Sequence, residues 1–157
     1  MKNFTKFFVS LFYIGYFKYA SGTIGTLLSI IILYPYFKYI NFSLNLKIAI
    51  LIFIVIISLF LINIFSKHTK SHDSKIIVID EFIGVYFIFL FYENIFIIND
   101  ILSLFLIFFL FRFFDITKIF PANLIDKKFK NAFGVILDDI IAAIYTILTF
   151  YFINVTF

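Results

Sequence analysis

Long apolar stretches, separated by short polar segments, dominate this chain. Five of them cover about residues 24–40, 46–65, 76–92, 101–116 and 135–153. A helix needs roughly 20 predominantly apolar residues to cross a bilayer, and these stretches have that length or come close to it. The pattern therefore predicts an all-α integral membrane protein with about five transmembrane helices in a single bundle.

The N-terminal stretch, residues 3–17, is aromatic and is interrupted by Lys6, Ser10 and Gly15. It is too short and too mixed for a clear span, so it predicts an interfacial or re-entrant helix near the membrane surface. No internal repeat or low-complexity linker divides the chain. We therefore expect a single membrane domain over residues 1–157.

The composition agrees with this fold class and excludes several functions. Hydrophobic residues make up 64% of the chain and the mean hydropathy is +1.11, whereas roughly half of a soluble domain is apolar. There is no cysteine, which excludes thiolate metal sites and cysteine-phosphatase chemistry. The net charge of +4 fits contact with anionic lipid. Nucleic-acid binding is not expected, because no basic polar domain is present to hold it.

Basic residues are distributed unequally between the two ends of the predicted spans. With the N-terminus in the cytoplasm, eleven of the thirteen Lys and Arg residues lie on the cytoplasmic side, and Lys38 and Lys47 lie outside. The positive-inside rule favours this orientation. The same orientation brings four polar clusters to the cytoplasmic ends of their spans: Ser21–Thr26, Asp80–Glu81, Arg112–Lys118 and Asp138–Asp139.

Two pairs of adjacent carboxylates lie in or beside apolar stretches, Asp80 with Glu81 and Asp138 with Asp139. An Asp at the centre of a membrane helix costs roughly 2.5–3.5 kcal/mol and needs a partner. Carboxylate oxygens are ligands that Mg²⁺ prefers, so both pairs are candidate metal ligands. The alternatives are structural pairing with Lys or Arg and, for the second pair, a favourable position at a helix N-terminus. Gly84, four residues after Asp80, would let another helix approach closely.

Arg112, Asp115 and Lys118 follow at three-residue steps, which places them on roughly one helix face. Arg112 and Lys118 are candidates to bind a phosphate, and Asp115 to bind metal or act as a base. The alternative is a row of surface ion pairs.

Two weaker signals complete the set of candidates. The segment Gly22–Thr26 opens the first span, where free N–H groups suit an anion or form an ordinary helix cap. His68 and His72 are four residues apart in a polar loop, a spacing that suits metal binding, although loop histidines are more often merely solvated.

Together, four motifs resemble those of the phosphatidylglycerophosphatase A family of bacterial membrane lipid phosphatases. They are Ala20–Thr26, Asp73–Gly84, Phe111–Lys118 and Ala132–Asp139. This chain has Ser21, Ser74 and Ile119 where the family has proline, and Ala132 where it has glycine. The charged positions of the motifs are intact.

The resemblance implies a Mg²⁺-dependent enzyme of phospholipid biosynthesis that converts phosphatidylglycerophosphate to phosphatidylglycerol. It also implies a multi-pass protein of the bacterial inner membrane with its active site facing the cytoplasm. We expect Asp80, Glu81, Asp138 and Asp139 as metal ligands, and Asp80, Glu81, Asp115 and Asp139 as catalytic residues. Gly22, Thr23, Thr26, Arg112 and Lys118 are expected to bind the phosphate. Attack by water and an aspartyl-phosphate intermediate are both open.

Two other classes of function use buried carboxylates in a membrane protein. A small cation or proton transporter would carry acidic residues through the depth of the bilayer, whereas a structural membrane subunit would not need the four clusters together.

Overall fold

Helices make up all the regular structure in the part of the chain that the computed structural model describes, which is residues 2–69, 74–91 and 99–156. The helices are α1 (Lys2–Val9), α2 (Ser21–Tyr39), α3 (Leu44–Thr69), α4 (Ile79–Phe89), α5 (Asp100–Thr117), α6 (Ala122–Lys128) and α7 (Ala132–Thr156), with a 3-10 turn at Ile14–Tyr16. The prediction of an all-helical chain is confirmed.

Helices occupy each of the five ranges predicted as spans, although their bounds differ from the prediction. Of the described helices, α3 and the Ala132–Ile153 part of α7 are long and apolar enough to cross a bilayer. By contrast, α4 has 11 residues, about 16 Å at 1.5 Å per residue, which is roughly half of a ~30 Å hydrocarbon core. The count of about five crossings therefore stays a prediction.

The N-terminal segment differs from the helix expected over residues 3–17, because α1 ends at Val9. Leu11, Phe12 and Tyr13 follow with φ of 46°, 59° and 68°, a left-handed conformation that costs L-residues energy. The turn is held by Ser10, whose side-chain oxygen accepts the Tyr13 N–H at 3.1 Å. This turn brings the chain back toward the start of α2.

Helix α4 lies at the centre of the packing and contacts α2, α3 and α7. Its Ile83, Val85, Ile88 and Phe89 side chains are completely buried. Helices α5 and α6 pack on α7, and α1 packs on α3. As a result, the two acidic residues in the first turn of α4 are surrounded by other helices.

Gly84 on α4 allows the close helix approach that its sequence position predicted. A Cβ atom at this position would lie 2.7 Å from a ring carbon of Phe111 on α5 and 3.1 Å from the backbone oxygen of Asp139 on α7. Both distances are shorter than ordinary van der Waals contact. A side chain at position 84 would therefore push three helices apart.

Gly84→Ala is expected to destabilise the fold by about 1–3 kcal/mol, because the fully buried Phe111 ring has no free space into which to move. Thermal unfolding in detergent, followed by circular dichroism, measures this effect. Ile116→Ala is the control, since it shortens an exposed side chain of the helix that carries Phe111 and should change stability by no more than about 0.5 kcal/mol. An unchanged melting temperature for Gly84→Ala would contradict the close packing of α4 against α5 and α7 at this position.

Candidate active site

The ends of several helices surround a cavity of about 350 Å³ with a largely charged lining. It lies among the start of α2, the start of α4, the end of α5 and the first turns of α7, with one residue from α6. Among the described residues its acidic lining consists of Asp80, Glu81, Asp115, Asp126, Asp138 and Asp139, and its basic lining consists of Lys18, Lys75, Arg112 and Lys118. All four polar clusters that the sequence predicted to converge contribute to this lining. Asp80–Glu81, Arg112–Lys118 and Asp138–Asp139 contribute charged residues, and Ser21–Thr26 contributes Ser21 and Gly22.

Three carboxylates form the centre of the charged lining. Asp80, Glu81 and Asp139 each offer an oxygen, and these oxygens lie within 4.8 Å of one another. Glu81 and Asp139 are buried, with 8% and 4% of their surface exposed. One oxygen of each of the three residues is buried and accepts no hydrogen bond from the described residues: Asp80 Oδ1, Glu81 Oε2 and Asp139 Oδ2.

These three residues could hold a hard divalent cation such as Mg²⁺. Buried carboxylates without partners are costly, and a cation among them would remove that cost. Their oxygens lie within 4.8 Å of one another, near enough for all three residues to contribute to one cation site, and carboxylate oxygen is the ligand that Mg²⁺ prefers. The oxygens of Asp80, Glu81 and Asp139 therefore suit Mg²⁺ as ligands.

Asp138 has a different partner from its neighbour Asp139. Its Oδ2 atom lies 2.5 Å from Lys118 Nζ, and it is not one of the three clustered carboxylates. Adjacent residues on a helix point about 100° apart, so α7 directs one carboxylate to α4 and the other to Lys118. The geometry favours Asp139 over Asp138 as a metal ligand, although both were predicted as ligands.

Lys118 is held by two carboxylates of the cavity lining. Besides Asp138, it donates a hydrogen bond to Asp126 Oδ1 on α6 at 2.7 Å. Partial burial lowers the pKa of the Lys118 ammonium, but the hydrogen bonds to Asp126 and Asp138 outweigh it, and the net pKa lies above the ordinary value for lysine. The two carboxylates therefore favour the charged form of Lys118.

Arg112 joins the carboxylate cluster to Asp115. Its Nη1 atom lies 2.5 Å from Asp115 Oδ2 and 3.8 Å from Glu81 Oε1. Its Nε–H is buried without a hydrogen-bond partner among the described residues. The guanidinium thus retains an unused donor beside the carboxylate cluster, as a group that binds an anionic ligand would.

Gly22 places the start of α2 directly against this pair. A Cβ atom on Gly22 would lie 2.3 Å from Glu81 Oε1 and 3.1 Å from Arg112 Nη1. Thr23 and Thr26, the other predicted phosphate ligands of this segment, are not part of the cavity lining. Thr26 is fully buried and its hydroxyl donates to the Gly22 carbonyl at 2.9 Å. Of Gly22, Thr23 and Thr26, only Gly22 lines the cavity.

Three charged lining residues were not among the predicted site residues: Lys18, Lys75 and Asp126. Each lies in a polar segment where a surface position is the ordinary expectation. His68, at the end of α3, lines a separate cavity with Lys6. His72 and Asp73 lie outside the described residues.

Comparison with known proteins points to the same family as the four sequence motifs. The phosphatidylglycerophosphatase A family model matches residues 7–154. A phosphatidylglycerophosphatase A of Haemophilus influenzae is 41% identical over 83 residues, which are 53% of this chain and 48% of the relative. The match therefore spans about half the length of that relative. No solved structure matches the chain.

Proposed function

Since this chain belongs to the phosphatidylglycerophosphatase A family, we propose that it is a Mg²⁺-dependent phosphoric monoester hydrolase that converts phosphatidylglycerophosphate to phosphatidylglycerol. The observation that carries the proposal is the group of Asp80, Glu81 and Asp139 oxygens within 4.8 Å of one another, with Arg112 beside them in the same cavity. Metal-binding carboxylates next to phosphate-binding cations form the arrangement that phosphoryl transfer requires.

We further propose that the protein is a multi-pass protein of the bacterial inner membrane with the cavity facing the cytoplasm. Large apolar side chains are exposed along α3 and α5, among them Phe53, Phe60, Phe105 and Phe109. Exposed apolar side chains of this size and number need lipid or protein to cover them. The excess of Lys and Arg on the cavity side supports the orientation.

The roles of the side chains follow from their positions. Asp80, Glu81 and Asp139 would hold the cation, which when bound offsets charge on the phosphoryl oxygens and favours ionisation of an attacking water. Arg112 and Lys118 would bind the oxygens of the terminal phosphate. Asp115 lines the cavity outside the three-carboxylate cluster and pairs with Arg112; once Arg112 binds the phosphate, Asp115 would accept a proton from the attacking water.

The proposed reaction is hydrolysis at the terminal phosphorus. The water oxygen forms a bond to phosphorus, the bond from phosphorus to the glycerol oxygen breaks, and the lipid alcohol leaves with a proton. The two products are phosphatidylglycerol and inorganic phosphate. The acyl chains of the substrate would stay in the bilayer beside the helices while the headgroup enters the cavity.

Removal of Mg²⁺ is expected to abolish this activity. Purified protein in detergent should release inorganic phosphate from phosphatidylglycerophosphate with Mg²⁺ and release none with EDTA, and added Mg²⁺ should restore the rate. Release that persists in EDTA would contradict the metal requirement. No release under either condition, together with ion flux in liposomes, would contradict the enzyme assignment itself.

The transporter hypothesis receives no support from the placement of the charged groups. Of the described acidic residues, all except Asp100 line this one cavity. Asp100 instead pairs with Lys38 at 2.5 Å. A conduction pathway needs charged groups along the depth of the membrane, whereas this arrangement concentrates them at one site.

A further inference from the structure

Lys18 and Lys75 differ from the other two cations of the cavity. Arg112 and Lys118 are partly buried and engaged by carboxylates. Lys18 and Lys75, hereafter the rim lysines, are exposed, and neither forms an ion pair in the part of the chain that the structure describes. Among the described residues, the cavity therefore has one pair of cations that carboxylates already compensate and a second, more exposed pair that they do not.

The backbone holds the two rim lysines in place relative to each other. Ser21, three residues after Lys18, donates a hydrogen bond from its hydroxyl to the Lys75 carbonyl at 2.7 Å. The segment after Lys75 is fixed in turn, because the Val78 N–H donates to the Val9 carbonyl at 3.0 Å. The start of α2 and the segment leading into α4 are thus joined, and the two lysines that they carry line the same cavity.

Two uncompensated cations beside an acidic cavity are suited to an anion that stays outside the carboxylate cluster. The substrate of the proposed reaction carries two phosphates, a terminal monoester that is hydrolysed and a phosphodiester that joins the headgroup to the lipid. With the monoester at Arg112 and Lys118, the phosphodiester would lie toward the exposed lysines, Lys18 and Lys75. Its single negative charge matches what the rim lysines can bind.

We propose that Lys18 and Lys75 bind the phosphodiester of the substrate and select lipids that carry a second phosphate. The inference rests on the proposed function. It makes the rim lysines specificity residues, which contribute to binding of the lipid and not to the chemistry at the terminal phosphate. General attraction of lysines to an anionic bilayer is the competing explanation.

The test measures phosphate release in neutral detergent micelles by Lys18→Gln, Lys75→Gln and the double variant. KM for phosphatidylglycerophosphate is expected to rise roughly fivefold for each lysine, as for loss of one charge contact in a solvated site, with kcat changed less than about twofold. The inhibition constant of inorganic phosphate, which has no phosphodiester, should stay unchanged. With phosphatidic acid of the same acyl chains, the variants should behave like the unmodified protein.

Lys67→Gln is the matched control, because Lys67 is an exposed lysine at the end of α3 that is not part of the cavity lining. An unchanged KM in this variant supports a specific role for the rim lysines, and a rise equal to theirs would overturn it in favour of general attraction. An unchanged KM in the double variant, or an equal loss of inorganic phosphate binding, would also overturn it. Failure of the proposed function is distinguishable, since the unmodified protein would then release no phosphate at all.

Discussion

Asp139→Asn is expected to reduce phosphate release by roughly 10²-fold or more, as for loss of a group that acts directly on a catalytic charge. The substitution preserves the shape of the side chain and removes its negative charge from the cluster with Asp80 and Glu81. The Mg²⁺ concentration that gives half-maximal activity should rise as well. Activity measured across a Mg²⁺ titration gives both quantities, and circular dichroism verifies that the variant is folded. Asp80→Asn should behave in the same way.

The adjacent residue provides the control for this experiment. Asp138→Asn makes the same chemical change one position earlier on α7, but Asp138 contacts Lys118 and is not one of the clustered carboxylates. We expect this variant to raise KM and to leave the Mg²⁺ requirement unchanged. Equal shifts in the Mg²⁺ requirement of the two variants would place Asp138 in the metal site after all.

Gly22→Ala is expected to reduce activity by roughly 10-fold to 10²-fold, since displacement of a catalytic group by about 1 Å can have effects of that size. The added methyl group would lie 2.3 Å from Glu81 Oε1 and 3.1 Å from Arg112 Nη1. Either the carboxylate moves away from the cluster, or the start of α2 moves away from the cavity. The rate of phosphate release at saturating Mg²⁺ measures the effect.

Leu27→Ala is the control for Gly22→Ala. It changes an exposed side chain of the same helix, outside the cavity lining, and should retain near-normal activity. If Gly22→Ala also retained normal activity, the contact between α2 and the Glu81–Arg112 pair would not be required for function.

The convergence of the charged residues was predictable from sequence, because it depends on general properties of membrane proteins. The distribution of lysine and arginine orients the predicted spans, and that orientation brings the four polar clusters to one side. The three-residue spacing from Arg112 to Lys118 predicted that they share a helix face, and both line the same cavity. Gly84 was predictable as a point of close approach because it lies one helical turn after Asp80.

The pairing within the site was not predictable, because it depends on helix rotation and on distant contacts. Asp138 and Asp139 have the same chemistry, and only the packing of α7 against α4 and α5 decides which one faces the carboxylate cluster. Asp126 forms its hydrogen bond to Lys118 through the placement of α6, a seven-residue helix with no strong sequence signal. The left-handed turn at Leu11–Tyr13 contains neither glycine nor asparagine, so local propensity predicts that the helix continues.

The central position of α4 has a consequence for biosynthesis. Its acidic first turn needs Arg112 from α5 and packing against α7, which are the later parts of the chain to emerge from the ribosome. Until α5 is made, Glu81 lacks the guanidinium of Arg112, and until α7 is made, the carboxylate cluster lacks Asp139. The carboxylate cluster is therefore complete only after α7, which carries Asp139, has packed against α4, so a chain interrupted before α7 is expected to release no phosphate.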